Sequence, residues 1–116
     1  MKRSSIILTL LFLILCLSSC KNQEKAVKQP NDNDIKVAQL VIDAATQREL
    51  GNLEKASSLY KEVIRFQPNN SLAYYQLAGI DIESKNIASA IEYNQKAIEK
   101  KKKNHWYRTQ LAEIYL

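Results

Sequence analysis

The amino-acid sequence predicts an all-α protein, a solenoid of about two and a half antiparallel helix pairs. Its 116 residues include only two glycines and two prolines, too few turn residues for a β-sandwich or barrel. The chain also resembles itself when it is shifted by 34 residues, which aligns Ala44, Ala78 and Ala112. A fixed period of this size is typical of stacked helical repeats. A leader and a tether are predicted to precede the repeats.

Residues 1–19 have the pattern of a secretory signal peptide. Lys2 and Arg3 form a positive amino-terminal region, residues 6–17 form an apolar core, and Ser18 and Ser19 form a small-residue cleavage site. The apolar core is shorter than the roughly 20 residues that a membrane-spanning helix needs. The segment is therefore predicted to be a cleaved leader rather than a membrane span.

The end of this leader, Leu17-Ser18-Ser19-Cys20, resembles the bacterial lipobox. The resemblance implies cleavage before Cys20, lipidation of its sulfur and acylation of the new amino terminus. Several acyl chains would anchor the protein permanently, because one chain binds a membrane only marginally. Under the familiar sorting rule, Lys21 in place of an aspartate favours the outer membrane of a Gram-negative bacterium, with the protein facing the periplasm. The alternative is an ordinary signal that ends in a cysteine by chance.

Residues 20–34 are predicted to be the lipidated cysteine and a disordered tether. The segment after Cys20 contains almost nothing apolar and one proline, so it cannot bury enough surface to offset its ordering entropy. We expect it to hold the domain off the lipid headgroups. An export or sorting signal directly after Cys20 is the alternative.

Residues 35–116 are predicted to form the repeat domain. The expected helices cover residues 35–50, 53–66, 71–84, 87–101 and 105–116. Breaks occur at Gly51 and Pro68, and an asparagine stands at the N-cap position of each of the last four helices, where its side chain can accept a hydrogen bond from an unpaired amide of the first turn. These are Asn52, Asn70, Asn86 and Asn104.

The repeats resemble the tetratricopeptide repeat, in which a large residue, Leu-Gly and Tyr mark the first helix, and Ala, Phe and Pro mark the second. The matching residues are Gly51, Ala56, Tyr60 and Pro68 in the first unit, Tyr74, Leu77, Ala78, Ala90 and Ala97 in the second, and Leu111, Ala112 and Tyr115 in the third. The resemblance spans about residues 37–116. The small residues are expected where helices cross closely, and the large ones around those crossings.

Three positions depart from the family pattern. Asp43 stands in place of leucine, Asn94 in place of an aromatic residue and Lys102 in place of proline. The third unit consists of one helix with an apolar end. We expect the exposed face of that helix to be covered by a second copy or by another protein. A fragment of a longer repeat protein is the alternative explanation.

No residue pattern predicts catalysis, a cofactor or a metal site. His105 is the only histidine, so a two-histidine metal site cannot form. Gly51 and Gly79 are too isolated to make a phosphate-binding loop. Both cysteines, Cys16 and Cys20, lie in the first twenty residues, and the repeat domain therefore contains no thiol.

The charge of the chain is modestly positive. The net charge of +5 falls to +3 without Lys2 and Arg3. Residues 100–103 are four lysines at the end of a predicted helix, where the helix dipole favours cations; contact with anionic headgroups or an acidic partner is the functional alternative. One basic run does not indicate nucleic-acid binding.

The resemblance further implies a concave groove, lined by the first helix of each unit, that takes an extended peptide or a helix. The corresponding residues are Val41, Ala45, Arg48, Tyr75, Gln76, Gly79, Ile82, Thr109, Gln110 and Glu113. Tyr75 is the strongest candidate for a binding hot spot. Because Arg48 is the only base among them, a receptor for a carboxyl-terminal carboxylate is not expected.

The leading functional hypothesis is a membrane-anchored adaptor of the cell envelope that binds a protein in this groove or through its last helix. A module for small molecules or glycans is the alternative. An enzyme is disfavoured because no catalytic constellation is present.

Overall fold

A computed structural model describes residues 2–17 and 28–116. Within these ranges the chain forms six α-helices and no β-strand. They are α1 (Lys2–Leu17), α2 (Asp32–Glu49), α3 (Leu53–Phe66), α4 (Ser71–Glu83), α5 (Ile87–Lys100) and α6 (His105–Tyr115). Cys20, the expected cleavage site and most of the expected tether lie outside the described residues.

The predicted fold class is confirmed for helices α2 to α6. Consecutive helices are joined by short turns and pack on each other, and α6 also contacts α4. The pairs α2–α3 and α4–α5 are the two complete units, and α6 is the first helix of a third. Helix α3 has the predicted bounds, and α4, α5 and α6 each end one residue before the expected position.

Helix α2 begins three residues before the expected position, so residues 32–34 are helical and are not part of a disordered tether. Its N-cap is Asn31, whose side-chain oxygen accepts a hydrogen bond from the Asp34 amide at 2.8 Å. The Asp34 carboxylate accepts in return from the Asn31 amide at 3.4 Å. This reciprocal pair is a capping box. It fixes the start of the repeat domain.

The predicted caps are confirmed at two of four asparagines. The side chains of Asn70 and Asn104 accept hydrogen bonds from backbone amides of the first turn that follows, at 3.0 Å in each case. Asn52 and Asn86 cap no amide with their side chains. They instead end the preceding helix, because their backbone amides donate to carbonyls five residues earlier, at 2.9 and 2.8 Å.

The turn inside each pair therefore has one geometry. The residue before the asparagine is left-handed in both units: Gly51 has φ 79° and Lys85 has φ 62°. A left-handed residue followed by the long backbone hydrogen bond is the Schellman motif, which favours glycine at the left-handed position. The first unit meets this preference and the second does not.

Small residues lie where helices cross, as the repeat spacing predicts. Ala44, Ala78, Ala56 and Ala90 are fully buried, which lets the helix backbones approach closely. Ala112, at the equivalent position of α6, is exposed. No described helix covers that side of α6.

Helix α1 is apolar along most of its length and exposed. Leu8 and Phe12 are each 72% exposed. Among the described helices, α1 included, none combines the length and the apolar character required to cross a membrane.

Candidate protein-binding face

The first helices of the three units, α2, α4 and α6, each present one stripe of side chains. Residues three and four apart share a side of a helix, which groups Val41 with Arg48 on α2 and Tyr75 with Ile82 on α4. We call the combined surface the first-helix face. Its members are Val41, Ala45, Arg48, Leu72, Tyr75, Gly79, Ile82, Trp106, Thr109 and Glu113.

Arg48 joins the first two stripes of this face. Its guanidinium donates from Nη1 to Gln76 Oε1 at 2.5 Å and from Nε to Glu83 Oε1 at 2.9 Å. The guanidinium lies over Gly79, where a Cβ atom would come within 2.8 Å of Nη2. The glycine therefore makes room for the arginine. The structure brings together three of the predicted residues, Arg48, Gln76 and Gly79, and adds Glu83.

The charge of Arg48 is already balanced within the protein. Its side chain is 26% exposed and that of Glu83 is 45% exposed, and the two form an ion pair. Burial raises the pKa of the Tyr60 phenol, and the positive charge of Arg48 partly offsets that rise. Arg48 thus supports the face, and a ligand carboxylate would have to displace Glu83 to reach it.

Tyr75 joins the second stripe to the third. Its ring packs on the ring of Tyr107 with centroids 5.0 Å apart and planes tilted by 31°. The Tyr107 hydroxyl lies 3.2 Å from the Ser71 hydroxyl, within hydrogen-bond distance. Tyr75 is partly buried, so one side of the ring holds α6 in place and only the remainder is available to a ligand.

Gln110 does not belong to the face, and its place in the predicted groove is wrong. It is buried, at 9% exposure, and its side-chain oxygen accepts a hydrogen bond from Asn94 Nδ2 at 2.5 Å. The cause is Asn94, which stands where the family has an aromatic residue. An amide buried at that position requires a polar partner, and Gln110 turns inward to supply it.

The other predicted groove residues remain at the surface. Val41 and Ile82 are partly buried, and Thr109 is exposed and donates its hydroxyl to the His105 carbonyl at 3.1 Å. Ala45 and Glu113 are exposed. Thr109 is therefore occupied with its own helix.

Two exposed apolar residues of the face are absent from the predicted groove. Leu72 is 42% exposed and Trp106 is 64% exposed, and they occupy equivalent positions 34 residues apart. Leu72 lies one helical turn before Tyr75, and Trp106 lies one turn before Thr109. The repeat period links the two positions, because the same shift that aligns the core also aligns this surface position.

The face has the chemistry of a contact surface. It presents apolar and aromatic side chains next to one internally satisfied ion pair.

Across residues 2–17 and 28–116, no group of three or more histidine, cysteine, aspartate or glutamate side chains is placed to hold a metal ion.

Antiparallel helix pairs stacked at a regular period, with alanines at the crossings, define a helical-repeat scaffold. A family model described as tetratricopeptide repeat matches residues 47–114, from the end of α2 to the end of α6. That is more than half of the chain, and the chain belongs to the tetratricopeptide repeat family. A search of curated proteins finds no matching relative.

Proposed function

We propose that the protein is an adaptor of the bacterial cell envelope, anchored by acyl chains on Cys20, that binds a segment of a partner protein on the first-helix face. Tetratricopeptide repeats generally mediate protein–protein binding. That general role supports the class of function, and the residues of the face support the place of contact.

The observation that carries the proposal is the apolar strip along α4. Leu72 is exposed, and Tyr75 and Ile82, on the same stripe, are partly exposed. The ion pair of Arg48 and Glu83 flanks the strip. Exposed apolar and aromatic anchors beside a polar edge are typical of binding hot spots. The strip fits one amphipathic helix or one extended segment of a partner.

The contact is tested by placing a photoreactive amino acid at Leu72 in the full-length protein in cells. Ile87, the first residue of α5, is a matched control, since it is apolar and 44% exposed against 42% for Leu72. We expect a discrete cross-linked protein from position 72 that is absent from position 87. Leu72→Asp should remove that partner from the native complex, and Ile87→Asp should retain it. Equal cross-linking from both positions would refute the proposed face.

The anchor rests on the sequence of residues 17–20 and its resemblance to the lipobox. The test is metabolic labelling with an alkynyl fatty acid. Cys20→Ser should abolish the label and release the protein from the membrane fraction, whereas Cys16→Ser, a matched control in the same leader, should retain both. Undiminished labelling of Cys20→Ser would refute lipidation at this residue.

The same protein is proposed to reside in the outer membrane, facing the periplasm, because Lys21 follows the cysteine. Density-gradient separation of the two membranes should place the native protein in the outer-membrane fraction. Lys21→Asp should move it to the inner membrane. An inner-membrane location of the native protein would contradict this part of the proposal.

A further inference from the structure

The turn between α5 and α6 is a concentrated cationic surface with one aromatic residue. Lys101, Lys102 and Lys103 are exposed, and the first turn of α6 adds exposed Trp106 and Arg108. Arg108 Nη2 donates to the Lys102 carbonyl at 2.9 Å, which ties the helix to the turn. We call these five residues the lysine surface.

The fold itself does not require these lysines, because the chain contains the same turn without them. The turn between α3 and α4 lies 34 residues earlier and reads Gln67, Pro68 and Asn69 at the equivalent positions. Its first residue donates its amide to the Val63 carbonyl at 2.8 Å and accepts from the Asn70 amide at 3.0 Å.

The lysine turn has the same two backbone hydrogen bonds. Lys101 donates its amide to the Ala97 carbonyl at 3.1 Å and accepts from the Asn104 amide at 3.1 Å. Neutral side chains therefore support this geometry as well as charged ones do. The three lysines are not required for the turn to form.

The charges of the lysine surface are not balanced inside the described part of the chain. Lys100, just before it, pairs with Glu99 at 3.5 Å. In residues 2–17 and 28–116, no ion pair involves Lys101, Lys102, Lys103 or Arg108. Four unpaired cations within eight residues repel each other, and a surface with a high density of negative charge would relieve that repulsion.

We propose that the lysine surface docks on the anionic headgroups of a phospholipid bilayer, with Trp106 at the boundary between headgroups and acyl chains. Tryptophan prefers that boundary because its ring is apolar and its N–H is polar. Each lysine or arginine near an anionic membrane strengthens binding roughly fivefold. An acidic protein would satisfy the charges equally well, and the exposed tryptophan beside them favours the membrane.

This docking goes beyond the proposed adaptor function, and it does not require acylation of Cys20. It would place the α6 end of the first-helix face at the bilayer and so set the direction in which the face opens.

The test uses the fluorescence of Trp106, the only tryptophan in the chain. The full-length protein is reconstituted into vesicles of phosphatidylcholine, with or without phosphatidylglycerol, so that it is membrane-attached in both. We expect a blue shift of the emission and reduced quenching by acrylamide only in the anionic vesicles. Both effects should vanish at 1 M salt, where the screening length falls to about 3 Å.

The matched variant gives the lysine turn the residues of the neutral turn, Lys101→Gln, Lys102→Pro and Lys103→Asn. It should fold, as circular dichroism and thermal melting will show, and it should lose the response to phosphatidylglycerol. Equal acrylamide quenching of the native protein in both kinds of vesicle would overturn the proposal. So would shielding of Trp106 by an acidic polypeptide without any response to anionic vesicles.

The outcome is separable from that of the adaptor proposal. The fluorescence response does not depend on a protein partner, and cross-linking from Leu72 does not depend on the lysines. Failure of one experiment leaves the other proposal intact.

Discussion

The two repeat units differ at the position where the second helix of a unit meets the next first helix. In the first unit this position is Tyr60, which is 1% exposed and lies in an apolar cluster with Val63, Leu77 and Ile80. In the second unit it is Asn94, which is fully buried and donates to Gln110. We call the contact between α3 and α4 the first junction and the contact between α5 and α6 the second junction. An aromatic ring fills the first junction, and a pair of amides fills the second.

The same arrangement of a second helix on the next first helix is therefore stabilised to different degrees in the two units. An aromatic ring contributes a large buried apolar area. The amide pair contributes a hydrogen bond, but Asn94 Oδ1 is buried and has no hydrogen-bond partner among the described residues. An unsatisfied buried polar atom costs about 1–3 kcal/mol. We therefore expect α2, α3 and α4 to form the stable part of the domain, and α6 to open more readily.

The largest effect is expected at the first junction. Tyr60→Ala removes a buried aromatic ring and should lower the free energy of unfolding by about 3–5 kcal/mol. Tyr60→Phe keeps the ring and serves as the control. Urea unfolding followed by circular dichroism measures both. A smaller loss from Tyr60→Ala than from Asn94→Ala would reverse the proposed order of the two junctions.

At the second junction, a single and a double substitution should change the stability in opposite directions. Asn94→Ala leaves the Gln110 amide buried without its partner and should cost about 1–3 kcal/mol. Replacing both residues with leucine removes both polar groups and should restore the stability or exceed it, since matched apolar replacement of a buried pair is close to neutral or stabilising. If the double variant is less stable than Asn94→Ala, the amide pair is a net source of stability.

The turns inside the two units offer a smaller, reciprocal test. Gly51→Ala forces a side chain into a left-handed position, although nothing lies within 4 Å of the added Cβ, and should cost about 1–2 kcal/mol. Lys85→Gly relieves the same strain in the second unit and should raise stability by about the same amount. Thermal melting measures both variants. A shift of the melting temperature in the same direction for both would show that the two turns are not equivalent.

Alkaline pH should lower the stability of the first junction, where Tyr60 lies, and this effect should be smaller still. Burial raises the pKa of Tyr60 in the folded state, so the folded chain holds its proton where the unfolded chain has lost it. The contribution is therefore complete below the unfolded pKa of about 10 and is lost as the pH rises toward the folded pKa. Tyr60→Phe should show a smaller loss of stability above pH 10 than the native protein does. Parallel curves would contradict this assignment.

The parts of the fold that follow from local signals could be predicted from the sequence. Asn70 and Asn104 cap their helices, and Ala44, Ala56, Ala78 and Ala90 are buried at the predicted crossings. The start of α2 was missed because its capping box uses Asn31 and Asp34 in place of the more familiar serine or threonine and glutamate.

The candidate site was predicted less completely, for a physical reason. Whether a side chain on a stripe is available to a ligand depends on its contacts with side chains of the neighbouring helix. A single substitution on that helix changes those contacts. Asn94 draws Gln110 into the interior, and Tyr107 occupies one side of Tyr75. The contacts that join Arg48 to Glu83 span 35 residues. No local pattern in the sequence encodes them.

We expect α2 to α6 to form one stack whose first junction is stronger than its second. Native-state hydrogen exchange on the full-length protein tests it directly. We predict that amides of α3 and α4 exchange only through the highest-energy opening, and that those of α6 exchange through a lower-energy opening, which the double leucine variant at positions 94 and 110 raises. Equal protection of α4 and α6 in the native protein would contradict the claim.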